Sequence, residues 1–271
     1  MSRRFVAYTR AQVEAWQSRP LEDLDIVALF IDGVRVAKEC LIVALGVDAQ
    51  GRKHVLGLYD GSTENATVCQ ALLSNLRDRG LPTQRSVVIV IDGSKALRKA
   101  VEQTFGEAAV VQRCQIHKRR NVVDHLPVHR RAWARTGLQR VYHSGDAAGA
   151  RRGLERLATG LERQYPSAAA SLREGLEETL TVLTLPIGET LRRALATTNT
   201  AESLISQFRA VHRHVTRWRG RHMALRWAIV GVNQAAKRFR RFRGHHDLRA
   251  LVNTLRTRDE RLKLTAAMSA A

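Results

Sequence analysis

The stretch Ile26-Val-Ala-Leu-Phe-Ile31 is followed by Asp32-Gly33, and the later stretch Val87-Val-Ile-Val-Ile91 is followed by Asp92-Gly93. Both stretches are short and rich in β-branched residues, without polar alternation, which is typical of strands buried on both faces of a sheet. A carboxylate at the end of such a strand lies at the edge of the sheet, where open sheets place their ligand sites. The two aspartates therefore predict a site for a hard divalent cation, although Asp-Gly is also an ordinary turn dipeptide.

The residues around these strands predict the rest of an α/β sheet. Cys40–Val47 and Lys53–Tyr59 are joined by the polar turn Asp48–Gly51, which predicts a hairpin and hence an antiparallel meander of three strands. A helix capped by Ser62 or Thr63 follows, and then the strand before Asp92, a helix over 94–105 and a strand over 108–113. This order of elements matches the ribonuclease-H-like arrangement.

From about Ile116 onward the pattern predicts only helices. The periodic segments are 122–140, 146–165, 167–185, a helix that begins near Asn199, and a helix over 222–242. The alanine-rich C-terminus, with Ala266, Ala267, Ala270 and Ala271, is expected to fray.

Positive charge dominates the sequence. Forty-five Lys and Arg residues against 25 Asp and Glu give a net charge of +20. The stretch from Ser203 to His246 contains no acidic residue, and the stretch from Arg113 to Arg140 contains only Asp124. A run of charge is usually a solvated helix face, but this length without a counter-charge favours a polyanionic partner such as nucleic acid.

Several classes of protein are disfavoured by the sequence. It has no apolar run of 18 residues, and the residues at its start lack the apolar core of a signal peptide. Its cysteines, Cys40, Cys69 and Cys114, are three in number and widely spaced, which argues against a disulfide framework. We therefore expect a cytoplasmic protein that is not bound to a membrane.

Two aspartates leave a divalent-cation site incomplete, so a third carboxylate is expected. Glu202 is the candidate, in the motif Thr197-Thr-Asn-Thr-Ala-Glu202-Ser. The alternative is a capping box, in which Asn199 is the N-cap and Glu202 reaches back to its amide. Spacing alone favours the capping box.

The motif Cys114-Gln-Ile-His117 has the spacing of half a zinc site, but the sequence offers no matching second pair. His125, His129 or His143 could supply further ligands, yet a buried thiol and a histidine at a helix start is the favoured interpretation. Among the aromatic residues, Trp133 stands between arginines and is the better candidate for a DNA contact. Trp218, Trp227, Phe239 and Phe242 could stack on bases or pack in the core, and Trp227 fits the core.

Taken together, the motifs resemble the Mutator-like transposases of bacterial insertion sequences, a branch of the acidic-triad DNA transposases with a ribonuclease-H-like fold. The resemblance covers the chain from about Ser18 to Leu255. It rests on the order and spacing of Ile31-Asp32-Gly33, Leu45-Gly-Val, Val55-Leu-Gly-Leu, Ile91-Asp92-Gly93, Cys114-Gln-Ile-His117, Thr197 to Ser203, and Trp218 to Trp227.

The resemblance implies that Asp32, Asp92 and Glu202 are the catalytic triad and bind two Mg²⁺ ions, for which Mn²⁺ can substitute. With this, the metal-ligand interpretation of Glu202 outweighs the capping box. The metal pair would support DNA strand cleavage by water and strand transfer by a 3′-hydroxyl, with no nucleophilic side chain. Cys114 and His117 are interpreted as a structural signature of the family rather than as catalytic residues.

The resemblance also implies a division of the chain. A lead-in (1–25) precedes the first part of the ribonuclease-H-like core (26–115). A helical insertion (116–196) separates it from the last part of the core with basic helices (197–245), and a C-terminal tail (246–271) follows. The expected partner is double-stranded DNA, as transposon ends and target, bound by a homo-oligomer associated with the nucleoid. The expected DNA contacts are Arg119, Arg120, Trp133, Arg209, Arg213, Arg217, Arg238, Arg240 and Arg241.

One departure from the family pattern is that Asp32 comes early. Members of the family usually carry a further N-terminal stretch that is thought to bind the ends of the element. We therefore expect a transposase catalytic core, either naturally truncated or a decayed copy. The alternative is an inactive DNA-binding product that competes with the full-length enzyme or inhibits its oligomers.

Overall fold

A mixed five-stranded sheet forms the centre of the molecule. The computed structural model describes residues 3–36, 39–61, 66–212 and 221–270. The strands are β1 (Ile26–Val36), β2 (Glu39–Asp48), β3 (Lys53–Gly61), β4 (Val87–Ile91) and β5 (Ala109–Arg113), in the spatial order β3-β2-β1-β4-β5. The first three pair antiparallel, whereas β4 is parallel to β1 and to β5. The predicted meander and α/β class are confirmed.

The hairpin between β2 and β3 is fixed by its own polar residues. The buried Asp48 carboxylate accepts hydrogen bonds from the amides of Gln50 and Arg52 and from the Arg52 side chain. Gly51 has a φ of +78°, and a Cβ there would lie 2.6 Å from the Cβ of His245. Glycine is therefore required at the end of this turn.

Helices cover both faces of the sheet, which explains why its strands lack polar alternation. One face carries α2 (Ala66–Asp78) and α3 (Lys95–Phe105), whose apolar residues pack on Leu29 and Ile31 of β1. The other face carries α10 (Asn199–His212), α11 (Arg221–Ala236) and the start of α12 (Leu248–Ala270), which pack on Phe30.

The segment between β5 and α10 is helical, as predicted, and has its own apolar core, which includes Leu138, Leu154 and Leu172. Its helices are α4 (Gln115–Asp124), α5 (Val128–Tyr142), α6 (Ala147–Glu162), α7 (Pro166–Arg173), α8 (Leu176–Leu180) and α9 (Glu189–Leu195). Two of the predicted helices are in fact broken. Pro127 separates α4 from α5, and Gly175, with a φ of +62°, separates α7 from α8.

Both ends of the described chain are more helical than the sequence suggested. The first helix, α1, spans Arg3–Ser18, within the segment that was expected only as a lead-in. The C-terminus, where fraying was expected, belongs to α12, and its Leu248, Leu251 and Leu255 are buried in the core that covers the sheet. Among the described residues, no helix combines the length and the apolar character needed to cross a membrane.

Candidate metal centre

Asp32 lies inside β1 rather than at its end, which corrects the prediction from sequence. The pairing of β1 with β4 stops at Phe30 and Val90, while the pairing of β1 with β2 continues through Asp32 and Val43 to Val36. Asp32 therefore stands where the parallel half of the sheet ends. Its side chain is buried, and its Oδ1 accepts a hydrogen bond from the Gly33 amide at 3.0 Å.

Asp92 directly follows β4, as predicted. Its Oδ1 accepts a hydrogen bond from the Ser94 amide at 2.9 Å, and the Ser94 hydroxyl caps α3 by accepting from the Leu97 amide. The next residue, Gly93, packs beneath the Arg113 guanidinium, which a Cβ at that position would strike. Because glycine has no Cβ, Gly93 allows Arg113 to lie close to the loop that carries Asp92.

Glu202 lies in the first turn of α10. Its amide donates to the Thr198 carbonyl at 2.9 Å, so Thr198 is the N-cap and Asn199 is already the first residue of the helix. The Asn199 amide lies 3.5 Å from the Thr197 hydroxyl oxygen, to which it donates. The capping box with Asn199 as N-cap does not form, because Glu202 is four residues after the cap and its carboxylate is directed elsewhere.

The Glu202 carboxylate meets Asp32 and His117. One ligand atom from each of these three residues lies within 4.8 Å of the other two. The His117 Nε2 lies 3.5 Å from Glu202 Oε1, and the more exposed Arg120 guanidinium lies 3.8 Å from the same oxygen. Asp92 is not a member of this close group, but its negative charge contributes to raising the pKa of Asp32.

Sequence reasoning missed that His117 is a member of this group. A signal was available, because Cys114-Gln-Ile-His117 directly follows β5, and Arg113 at the end of β5 is paired with Ile91 at the end of β4. Residues that follow two neighbouring parallel strands emerge at the same edge of a sheet. The Cys114-Gln-Ile-His117 motif could therefore have been expected to begin beside Asp92.

Cys114 and Thr198 hold the start of α4 against the start of α10. The buried Cys114 Sγ accepts a hydrogen bond from the Thr198 amide at 3.3 Å, and the Thr198 hydroxyl lies 3.3 Å from His117 Nδ1. The Gln115 amide also donates to the Ala196 carbonyl at 3.0 Å. The Cys-x-x-His motif thus fixes both the ring of His117 and the helix that carries Glu202.

The electrostatics of the group are those of crowded carboxylates. Burial raises the pKa of Asp32 to about 7; His117 opposes this shift, and Asp92 and Glu202 add to it. The hydrogen bond with Cys114 raises the pKa of His117 to about 9 against the effect of burial, with further help from Asp32 and Glu202. Burial would raise the pKa of Cys114, but its bonds with His117 and Thr198 outweigh this and lower it.

Two carboxylates and an imidazole are a suitable set of ligands for a divalent cation. Carboxylate oxygens suit Mg²⁺ and Mn²⁺, and an imidazole is better suited to transition metals than to Mg²⁺. A cation at Asp32, His117 and Glu202 would also neutralise the crowding that raises the pKa of Asp32. Asp92 flanks this set, next to the point where α3 begins.

The residues expected to contact DNA are mostly exposed. Arg120, Trp133, Arg209, Arg238, Arg240 and Arg241 are solvent-exposed, and Arg119 is half-buried with its guanidinium 3.4 Å from Gln139 Oε1. Arg213, Arg217 and Trp218 lie outside the described residues. Phe242 is buried against Phe30 and Phe239 packs on the same core, so for these two aromatics the core interpretation is right.

Comparison with known proteins finds a matching family model and several similar transposases. Residues 4–241 match the family model described as "Transposase, Mutator family". The chain is 31% identical over 238 residues to the transposase for insertion sequence element ISRM3 of Rhizobium meliloti (strain 1021), which covers 84% of this chain and 58% of that protein. It is 31% identical over 250 residues to the transposase for IS6120 of Mycolicibacterium smegmatis, covering 90% and 76%. The chain thus spans somewhat more than half of the first relative and three quarters of the second, and it belongs to the Mutator family of transposases.

Proposed function

We propose that this chain is the catalytic core of an insertion-sequence transposase, which cleaves DNA strands and joins a 3′-hydroxyl to target DNA in a metal-dependent reaction. The observation that carries the proposal is the approach of Asp32 and Glu202, which are far apart in sequence and share one group with His117. Family membership supports the choice of DNA as substrate.

We further propose that the fold is ribonuclease-H-like, with residues 116–196 as a helical insertion. The sheet order β3-β2-β1-β4-β5, with three antiparallel strands followed by two parallel ones, supports this assignment. The separate apolar core of the helical segment supports its treatment as an insertion.

In this proposal Asp32, Asp92 and Glu202 hold the metal ions, and His117 is a fourth candidate ligand. Divalent metal ions held by these residues would supply Lewis-acid chemistry for an in-line displacement at phosphorus. The protein's own part is to keep the carboxylates close and ionised. Cys114 and Thr198 serve this by holding the ring of His117 beside Asp32 and Glu202, where its neutral form can bind a metal ion.

The DNA would lie across the basic helices. Helix α5 (Val128–Tyr142) contains no acidic residue and exposes Trp133, whose side chain offers a stacking or sugar contact. Arg209, Arg238, Arg240 and Arg241 add exposed positive charge on and after the helices that follow. Phosphate contacts of this kind position a duplex without reading its sequence.

The test is DNA cleavage and strand transfer on a plasmid that carries the terminal repeats flanking the coding sequence, with Mg²⁺ or Mn²⁺ present. Glu202→Gln should abolish both products, because it removes a charge from the proposed metal site. The matched control is Glu260→Gln at an exposed position of α12, which should retain activity. Equal activity of the two variants would contradict the proposed role of Glu202.

A further inference from the structure

A cavity of about 280 Å³ lies where α4, α5, α9 and the start of α10 meet. Its lining residues include Ile116 and Arg119 from α4, Tyr142 from α5 and Asn199 from α10. Among the residues proposed above for DNA contact that the structure describes, Arg119 alone lines this cavity.

The cavity is adjacent to the candidate metal centre. Along α4, Ile116 and Arg119 line the cavity, while the neighbouring His117 and Arg120 lie beside the Glu202 carboxylate. Along α10, Asn199 lines the cavity three residues before Glu202, which corresponds to a rise of about 4.5 Å.

The lining combines apolar and polar groups. Ile116, Val182, Leu183 and the ring of the largely buried Tyr142 form apolar walls. Side-chain amides of Gln139 and Asn199 are among the polar groups. Pockets for small organic ligands also combine apolar walls with polar groups, although this lining is more polar than usual and its volume lies just below their usual range.

The charge of the lining favours an anion. Three arginines line the cavity, Arg119, Arg192 and Arg193, and the only acid among the lining residues is Glu189, which pairs with Arg193. Arg192 donates to the carbonyls of Gly145 and Ile187, at 3.1 and 3.0 Å, so these contacts leave its positive charge uncompensated. Arg119 meets the neutral amide of Gln139.

We propose that this cavity takes one unpaired nucleotide of the DNA strand that occupies the candidate metal centre. Its base would pack against Ile116 and Tyr142, and its phosphate would face Arg119 and Arg192. The nucleotide must be unpaired, because a base within a duplex has both faces stacked and cannot enter a pocket. This inference rests on the proposed function for the presence of DNA, but it concerns binding and not the chemical step.

The test is binding of two fluorescently labelled duplexes in the presence of EDTA, one blunt and one with a single unpaired 5′-phosphorylated nucleotide. We expect the wild-type protein to bind the second duplex about fivefold to tenfold more tightly, as stacking of one base supports. Arg119→Ala and Gln139→Glu should each remove this preference. The control Arg156→Ala, at an exposed position of α6, makes the same change in net charge and should retain it.

Competition separates the possible sources of the anion. A mononucleotide such as dAMP should reduce the preference at concentrations where inorganic phosphate does not, since the pocket is expected to bind a base as well as a phosphate. Equal competition by inorganic phosphate would overturn the base site. Absence of a preference in the wild type, or its persistence in both variants, would overturn the proposal.

The outcome is independent of catalysis because EDTA removes the metal. A preference that depends on Arg119 in a protein without Mg²⁺-dependent cleavage would contradict the proposed function and leave this inference standing. Mg²⁺-dependent cleavage by a protein that shows no preference for the unpaired nucleotide would support the proposed function and overturn this inference.

Discussion

The edge of the sheet and the helical segment beside it both bury charge, but they surround it differently. Asp32 at the edge is 5% exposed, and two of its charged neighbours, Asp92 and Glu202, have the same sign. Lys118 in α4 is 1% exposed, and its ammonium group contacts the carbonyls of Ser171 and Glu174, at and just beyond the end of α7, with the Glu174 carboxylate 4.0 Å away. The partners of the buried lysine are hydrogen-bond acceptors within the chain, whereas the crowded carboxylates are proposed to bind a cation. A buried charge whose hydrogen bonds are satisfied within the fold fits a structural role, and one crowded by like charges is a candidate for ligand binding.

The largest expected effect concerns the sheet edge. Asp92→Asn should reduce Mg²⁺-dependent DNA cleavage by about a thousandfold or more, equivalent to about 4 kcal/mol of transition-state stabilisation, because it removes a proposed metal ligand. The affinity for DNA, measured by fluorescence anisotropy, should change by less than about twofold, since the proposed DNA contacts lie on other elements. A parallel loss of DNA affinity would show that Asp92 is structural, and would break the contrast between the two regions.

The second prediction compares the two buried charges directly. Lys118→Met should lower the free energy of unfolding by about 2–4 kcal/mol, because it leaves the carbonyls at the end of α7 without a donor. Asp32→Asn should leave the stability of the metal-free protein unchanged or raise it, because it removes one of several crowded carboxylates. Denaturant unfolding in EDTA at pH 8 measures both. Equal destabilisation by the two substitutions would contradict the comparison.

The dependence on pH sharpens this prediction. Burial, followed by the positive charge of Arg113, lowers the pKa of Lys118 to about 8 in the folded protein, from an ordinary value near 10.5. Between these two values the unfolded chain binds more protons, so the stability that depends on Lys118 should increase as pH rises from about 8 to about 10.5. The difference in unfolding free energy between wild type and Lys118→Met, measured across that range, should show this trend. A difference that shrinks with rising pH would contradict the sign.

The third prediction concerns the exposed basic residues. Replacing Arg238, Arg240 and Arg241 with Ala should reduce the slope of log K against log[salt] by up to about 3 units, since each lost phosphate contact contributes about 0.9. All DNA sequences should be weakened alike. Titrations at several salt concentrations measure the slope. Phe242, which directly follows these arginines and is buried, is left unchanged. An unchanged slope would mean that these arginines form only a solvated surface.

The smallest expected effect is in sequence preference. In competition at about 150 mM salt, we expect less than about a tenfold difference between duplexes carrying the true end and a scrambled end. Before β1, the described residues form one helix, α1, and sequence readout needs an element that presents side chains to base edges in a groove. A preference above about a hundredfold, or 2.7 kcal/mol, would place sequence recognition in the helical segment or the basic helices.

The sequence predicted the sheet well because its signals are local. Two β-branched runs and a polar turn that ends in Gly51 are enough to specify buried strands and a hairpin. The position of Asp32 within β1 was not predictable in the same way. It depends on β1 pairing with β2 over a longer distance than with β4, which is a property of the partner strands.

The same limit applies to the candidate site. Asp32, Asp92 and Glu202 were identified from sequence and family resemblance, and their role as metal ligands stays a prediction. The neighbouring parallel strands could have placed His117 near Asp92, but its approach to Glu202 was not predictable, because it arises from the bonds of Thr198 with Cys114 and His117 across a long helical segment. The capping box was favoured by spacing alone, and it failed because the N-cap is Thr198 and its side chain is already engaged.

The bonds that join Cys114 to Thr198 and Gln115 to Ala196 have a further consequence for how the family can vary. These bonds hold the start of α4 beside the start of α10, so the helical segment between β5 and α10 begins and ends at neighbouring positions. Residues inserted or deleted at the exposed turns of this helical segment change the length of a loop whose ends are held together. The entropy of closing such a loop grows only slowly with its length. A change in the number of residues between Asp92 and Glu202 would therefore leave the start of α10 beside the end of β5, where the bonds of Cys114 and Gln115 hold it.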